Sequence, residues 1–165
     1  MINLIQILIR NGWKYKQATN AVPHKEEFPG NIPAEVLKFC RSFDELSLPD
    51  DTFWFFSYMD YLGLSDSAFK WNEFELNDFE FAINDTQRAL VCQFWRRHFP
   101  LAMSVRDDHA YIAVGIDKEN AGQIFLGENS DESETELLAV DLDAFVVLVE
   151  DFYFGNRAHP LSRLF

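Results

Sequence analysis

Cysteine is scarce in this chain of 165 residues: Cys40 and Cys92 stand far apart, with no spacing suited to a metal. A disulfide framework is thereby excluded as the organising device, and both residues read as reduced core thiols of a cytosolic protein. Glycine is sparse too. The seven glycines do not cluster, so the chain holds neither a phosphate-cradling loop nor a dinucleotide fingerprint. The few serines include none in a Gly-x-Ser-x-Gly elbow. No apolar run approaches the roughly 18 to 20 residues that a bilayer-spanning helix needs. Bases number 14 against 27 acids, a formal charge of −13, which argues against nucleic acid or an anionic membrane as partner.

What is present is apolar and aromatic. Hydrophobic residues make up 48% of the chain, with 17 Phe and 4 Trp, enough to fill one core in a single domain spanning 1–165. Charge is unevenly spread. Residues 1–25 carry Arg10, Lys14, Lys16 and Lys25 and no acid. The remaining 140 residues hold 27 acids and 14 − 4 = 10 bases, a net of −17. Between Asp44 and Asp85 stand eleven acids and one base, Lys70; between Glu128 and Asp143, seven acids and no base. Such stretches serve either solubility or the docking of a basic partner.

Ile5, Leu8 and Ile9 recur at helical spacing and Gly12 is placed to stop that helix. Arg10 follows the apolar stretch instead of preceding it, so this segment reads as an amphipathic helix and not a leader. Trp13 to Pro29 reads as a polar connection. A second helix starts at Ile32-Pro33, with Val36, Phe39, Cys40 and Phe43 as its buried stripe. Leu48-Pro49-Asp50-Asp51 breaks the chain before an aromatic strand, Thr52 to Ser57. Tyr58 to Ala82 is hard to assign, although alternation in Phe79 to Ile83 suggests a short strand. Asp85 or Thr86 caps a helix running to about His98, with Leu90, Val91, Phe94 and Trp95 facing inward and Pro100 ending it. Strands follow at Leu101 to Val105, Tyr111 to Ile116, Gln123 to Leu126 and Leu137 to Val140. Asp141 caps a final helix with the stripe Leu142, Phe145, Val146, Val149 and Phe152, and residues 155–165 form a loose tail. Short-turn consecutive strands predict an α+β fold: an antiparallel or mixed sheet of about 5–6 strands, helices mainly on one face.

The most tempting motif is a decoy. Asp117 to Glu128 imitates a calcium-binding EF-hand loop, but Ala121 and Phe125 fall where ligands belong, and strands flank it where helices are required. Asp107-Asp108-His109 reads as turn chemistry, since adjacent residues on a tight turn diverge. His98 reads as a satisfied boundary residue; His24 and His159 sit in loops without visible partners. Glu73 and Glu75 share a face only if their stretch is a strand. Alternation in Phe53 to Phe56 divides those aromatics between core and surface.

The linear arrangement resembles the SUKH superfamily, which contains fungal cell-wall regulators of the SMI/KNR type and many bacterial immunity proteins. Ile32-Pro33-Ala34-Glu35-Val36-Leu37-Lys38-Phe39 resembles the family's Leu-Pro-x-x-Tyr/Leu-x-x-Phe helix start, and Trp54 opens an aromatic strand of the kind that follows. Phe99-Pro100-Leu101-Ala102, Asp107 to Ala113, Gly122 to Leu126 and Val140 to Phe145 resemble the motifs of its central strands and closing helix. The likeness runs from Ile32 to Asp151, with Asp107 standing where the family has glycine. It implies an α+β fold and a non-enzymatic, protein-binding domain; the residues themselves predict no cofactor and no metal. In bacteria such domains neutralise a cognate toxin, often a nuclease, whose basic groove an acidic domain complements.

The expectation is therefore a cytoplasmic, non-enzymatic domain that docks a basic protein, with no nucleic-acid or membrane partner. The candidate contact residues are Trp54, Asp60, Trp71, Asp107, Asp108, Glu128, Asp131, Glu132 and Glu134. A regulatory or scaffold module without a toxin partner, and a small-ligand binder, are the alternatives.

Overall fold

A computed structural model describes residues 2–19, 31–106, 109–128, 135–155 and 159–165. In chain order its elements are α1 (Ile2–Arg10), β1 (Lys14–Gln17), α2 (Ala34–Cys40), β2 (Phe43–Ser47), β3 (Phe53–Phe55), α3 (Tyr58–Tyr61), α4 (Glu73–Phe81) and α5 (Asp85–Trp95). Then come β4 (His98–Ser104), β5 (Ala110–Gly115), β6 (Ile124–Glu128), β7 (Glu136–Ala139), α6 (Leu142–Tyr153) and a short 3-10 helix, Pro160–Arg163. The seven strands form one sheet in sequence order, every neighbouring pair antiparallel. The fold is thus α+β, as expected, with more strands than the 5–6 counted in the sequence.

The extra strands are β1 and β2. Lys-Tyr-Lys-Gln lacks apolar alternation because β1 is an edge strand, where lysines discourage further pairing. Phe43, read as the end of a helical stripe, instead opens β2, and its ring packs 5.1 Å from Phe39 of α2. Pro100 does not merely end a helix: it lies inside β4, where the register slips between Pro100 and Ala102. A bulge is where a strand tolerates a residue without an N–H.

Both faces of the sheet are covered, so β5 is buried at every position. Phe53 and Phe55 share a face with Ala102 and Ile112. They meet Trp13, Phe39 and Phe165 there, on the side of α1, α2 and α6. Trp54, Met103 and Tyr111 point to the other face, and Phe74 of α4 and Trp95 of α5 lie 4.7 and 5.1 Å from the Tyr111 ring. The larger helix group therefore sits on one face, while α4 and α5 close the second.

Several expectations need correction. Phe79 to Ile83 is not a strand: Phe79 and Phe81 belong to α4, whose inward positions are Phe74 and Asp78, four residues apart. Glu73 and Glu75 strengthen its positive first turn and, two apart on a helix, do not share a face. Asn84 caps α5, accepting from the Gln87 N–H at 2.9 Å. Val91 and Trp95 set the buried side of α5, leaving Leu90 half exposed. Asp141 caps α6 as read, accepting from the Ala144 N–H at 2.7 Å. The tail, expected to be loose, is packed over residues 159–165: Leu161 and Leu164 are fully buried, and Phe165 stacks its edge on Trp13 and Phe53.

Candidate functional site

Strand pairing builds one wall of a groove. Ser47 lies opposite Trp54 and Glu45 opposite Lys16, so Glu45, Ser47 and Trp54 present to the same face. The chain leaving β3 folds back over that face. Asp60 Oδ2 accepts from the Ser57 N–H at 2.6 Å and the Ser57 hydroxyl at 2.7 Å, while Ser57 accepts from the Asp60 N–H. This reciprocal cap starts α3. Gly63, with φ +65°, then turns the chain in a conformation that side chains disfavour. Phe69 returns onto Trp54, ring centroids 5.7 Å apart.

Between wall and return lies an open groove of about 750 Å³. Five carboxylates line it, from Asp44, Glu45, Asp51, Asp60 and Asp66, against the single ammonium of Lys16. A cleft lined by one sign of charge focuses its field and raises the local concentration of opposite charge. Lys14 holds Asp51 at 2.6 Å, which keeps that carboxyl below its ordinary range. Glu45 and Asp66 make no ion pair among the described residues. Two buried atoms of lining residues, Trp54 Nε1 and Asp44 Oδ1, find no hydrogen-bond partner among the described residues. An unmet buried polar atom costs about 1–3 kcal/mol, and both atoms are sealed from solvent.

Two of the sequence candidates, Trp54 and Asp60, are brought together here. Asp60 holds the fold as well as the charge, because its carboxylate caps α3. Trp71 is not part of the groove: its half-buried ring packs 5.6 Å from both Tyr61 and Phe99. Glu128 lies elsewhere too, at the end of β6, held 2.6 Å from Arg163. Asp107, Asp108, Asp131, Glu132 and Glu134 lie outside the described residues. Sequence reasoning missed Asp44, Glu45, Asp66 and Phe69 as lining residues. Their acid-rich stretch was visible, but the strand and the fold-back that gather them were not.

Other reactive groups have local roles. In the Asp117–Glu128 stretch, Asp117 and Glu119 engage Arg97 at 3.4 and 2.7 Å. Asn120 occupies the turn, accepting from the Asp117 N–H. His98, at the start of β4, is satisfied through Phe94 O and Asn120 Nδ2, and burial pulls its pKa down. His159, expected to lack a partner, is buried against Phe152 and accepts from the Leu161 N–H through Nδ1. Burial pushes the Cys40 thiol up to about 12, far from the range of a nucleophilic thiolate. No group of three or more His, Cys, Asp or Glu among the described residues could hold a metal ion. No helix among them is long and apolar enough to cross a membrane.

Compared with protein-family models, with curated proteins and with solved structures, the chain finds no match in any of the three.

Proposed function

We propose that this chain is a non-enzymatic protein-binding domain that docks a basic partner in the acidic groove beside Trp54. The observation that carries this reading is the lining itself: five carboxylates against one lysine around a Trp–Phe pair. Arginine and lysine side chains suit such a site, since carboxylates draw the charge and aromatic faces accept it. The resemblance of residues 32–151 to the SUKH superfamily supports a narrower form, an immunity protein acting in the cytoplasm against a toxin, with a basic nuclease as the toxin class. A nuclease must attract polyphosphate, and its positive surface is what this groove complements.

The test is capture of partners from the cells of origin on the immobilised chain, at about 50 mM and about 500 mM salt, where screening lengths differ severalfold. A basic protein held at low salt, released at high salt and lost on Asp66→Lys is the expected result. Capture that ignores both salt and Asp66→Lys rejects the groove. A second reading, a small cationic ligand, draws on the lining carboxylates, the Trp54–Phe69 ring pair and a volume within the roughly 300–1,000 Å³ of small-molecule sites.

A further inference from the structure

Helix α4 is apolar on two sides. Phe74 and Asp78 enter the core, whereas Leu76 and Phe79, three residues apart, lie on its outer face at 43% and 46% exposure. Phe81 and Ile83 follow at its C-terminal end, 70% and 84% exposed. Phe81 turns back toward the side of Phe74 at about 3.6 residues per turn, so the outer ridge is Leu76 and Phe79, with Ile83 exposed just past the helix end, a run of surface apolar residues that asks for an explanation. The fold does not need them there. Val91 and Trp95 of α5 and Phe74 of α4 already make the contacts with the sheet side.

Charge selects the occupant. At about 3.6 residues per turn, Glu75 and Glu80 fall on opposite flanks of the Leu76–Phe79 stripe. Arg88 is the single base on α4 and α5, and it is already engaged. It reaches Asp85 at 3.3 Å and sits 5.7 Å from the Phe79 ring, a cation on the face of an exposed aromatic. A second copy would bring these carboxylates against themselves, and an anionic lipid surface would be repelled by them. The complement of an apolar stripe flanked by carboxylates is an apolar stripe flanked by cations. Burial already lifts the Glu75 carboxyl above its ordinary value, and a cation brought beside it would oppose that shift.

We propose that the ridge of Leu76 and Phe79, continued by Ile83 past the helix end, docks a basic amphipathic helix of a partner protein. None of these three residues lines the groove, so this surface stands whatever the groove takes.

The probe is a fluorescent synthetic amphipathic helix of leucine and lysine, titrated with the full chain. A leucine–glutamate helix of equal length and vesicles of neutral and of anionic phospholipid are the comparison arms. The leucine–lysine helix is expected to bind saturably and at least about tenfold tighter than the leucine–glutamate helix. Phe79→Ser with Ile83→Ser should weaken it about tenfold, and Asp66→Lys in the groove should leave it unchanged. Should the double variant misfold by circular dichroism, Ile83→Ser alone, at a side chain 84% exposed, should weaken it about threefold. Equal affinity for the two helices, undiminished binding by Ile83→Ser, loss on Asp66→Lys, or binding to either vesicle overturns the proposal. So does a concentration-dependent dimer abolished by the same substitutions.

Discussion

The indole N–H of Trp95 donates to Asp78 Oδ2 across 2.8 Å, joining α5 to α4 in the interior. Both residues are only 6% exposed, so water cannot easily replace either partner. Low local dielectric strengthens the bond that is made and penalises the one that is broken. It also fixes the side of α4 that faces inward, and with it the outward side that carries Leu76 and Phe79.

Asp78→Ala should therefore cost about 2–3 kcal/mol of stability, because it leaves the Trp95 N–H buried without this acceptor. Trp95→Phe keeps most of the ring's packing but removes the donor, and should cost about 1–2 kcal/mol. Urea unfolding followed by far-ultraviolet circular dichroism measures both. A loss under about 0.5 kcal/mol for Asp78→Ala would show that α4 is held by packing alone.

At the β5–β6 turn the constraint is steric. A Cβ on Gly115 would stand 2.0 Å from the backbone oxygen of Asn120 and 2.6 Å from its Cγ. Asn120 cannot easily retreat. Its Oδ1 accepts from the Asp117 N–H at 2.9 Å, and its Nδ2 donates to Arg97 O at 3.2 Å. Gly115→Ala should cost about 3 kcal/mol by calorimetry, at the upper end of overpacking penalties. Because the nearest atom is backbone, Asn120→Ala in the same chain should not restore the loss. Full rescue by that second change would mean that the side chain, and not the turn backbone, sets the limit.

The sheet was legible where strands are central and the helices where they are capped. β4, β5 and β6 announce themselves as apolar runs separated by turn residues, and Asp141 marks the start of α6 by its own chemistry. β1 and β2 were not legible, since an edge strand is selected for polarity and Phe43 fits a helical stripe as well as a strand. The alternation in Phe79 to Ile83 misled for a related reason. Exposed apolar residues on α4 break the rule that links apolar periodicity to burial, and that breach is what defines the ridge. In the groove, Trp54 and Asp60 could be picked as an aromatic on a strand and an acid, but their neighbours could not. Asp66 and Phe69 reach them only through the turn at Gly63, and Asp44 and Glu45 only through β2.

One surface cluster yields a pH dependence whose direction is fixed. Asp50 Oδ1 accepts from the Thr52 hydroxyl at 2.7 Å and from the Thr52 N–H at 3.2 Å, while Arg106 holds Oδ2 at 3.0 Å. Arg106 Nε also donates to the Thr52 hydroxyl at 2.8 Å, so the three side chains latch the β2–β3 turn to the end of β4. The Thr52 hydroxyl, then the Thr52 N–H, then Arg106 bring the Asp50 carboxyl from its ordinary 3.8 down to about 2. A carboxyl lowered in the folded state contributes stability that is fully present above the unfolded value and is lost as pH falls through the folded one. The latch should thus hold above pH 4 or so and open between about pH 4 and about pH 2. Carbon-detected NMR titration of the Asp50 carboxyl should give a midpoint near 2. Thr52→Val should move it back toward 3.8, because the Thr52 hydroxyl is the largest single influence on it. A midpoint already near 3.8 in the unaltered protein would show that the latch does not hold the carboxyl, and an unmoved midpoint in Thr52→Val would show that the Thr52 hydroxyl does not govern it.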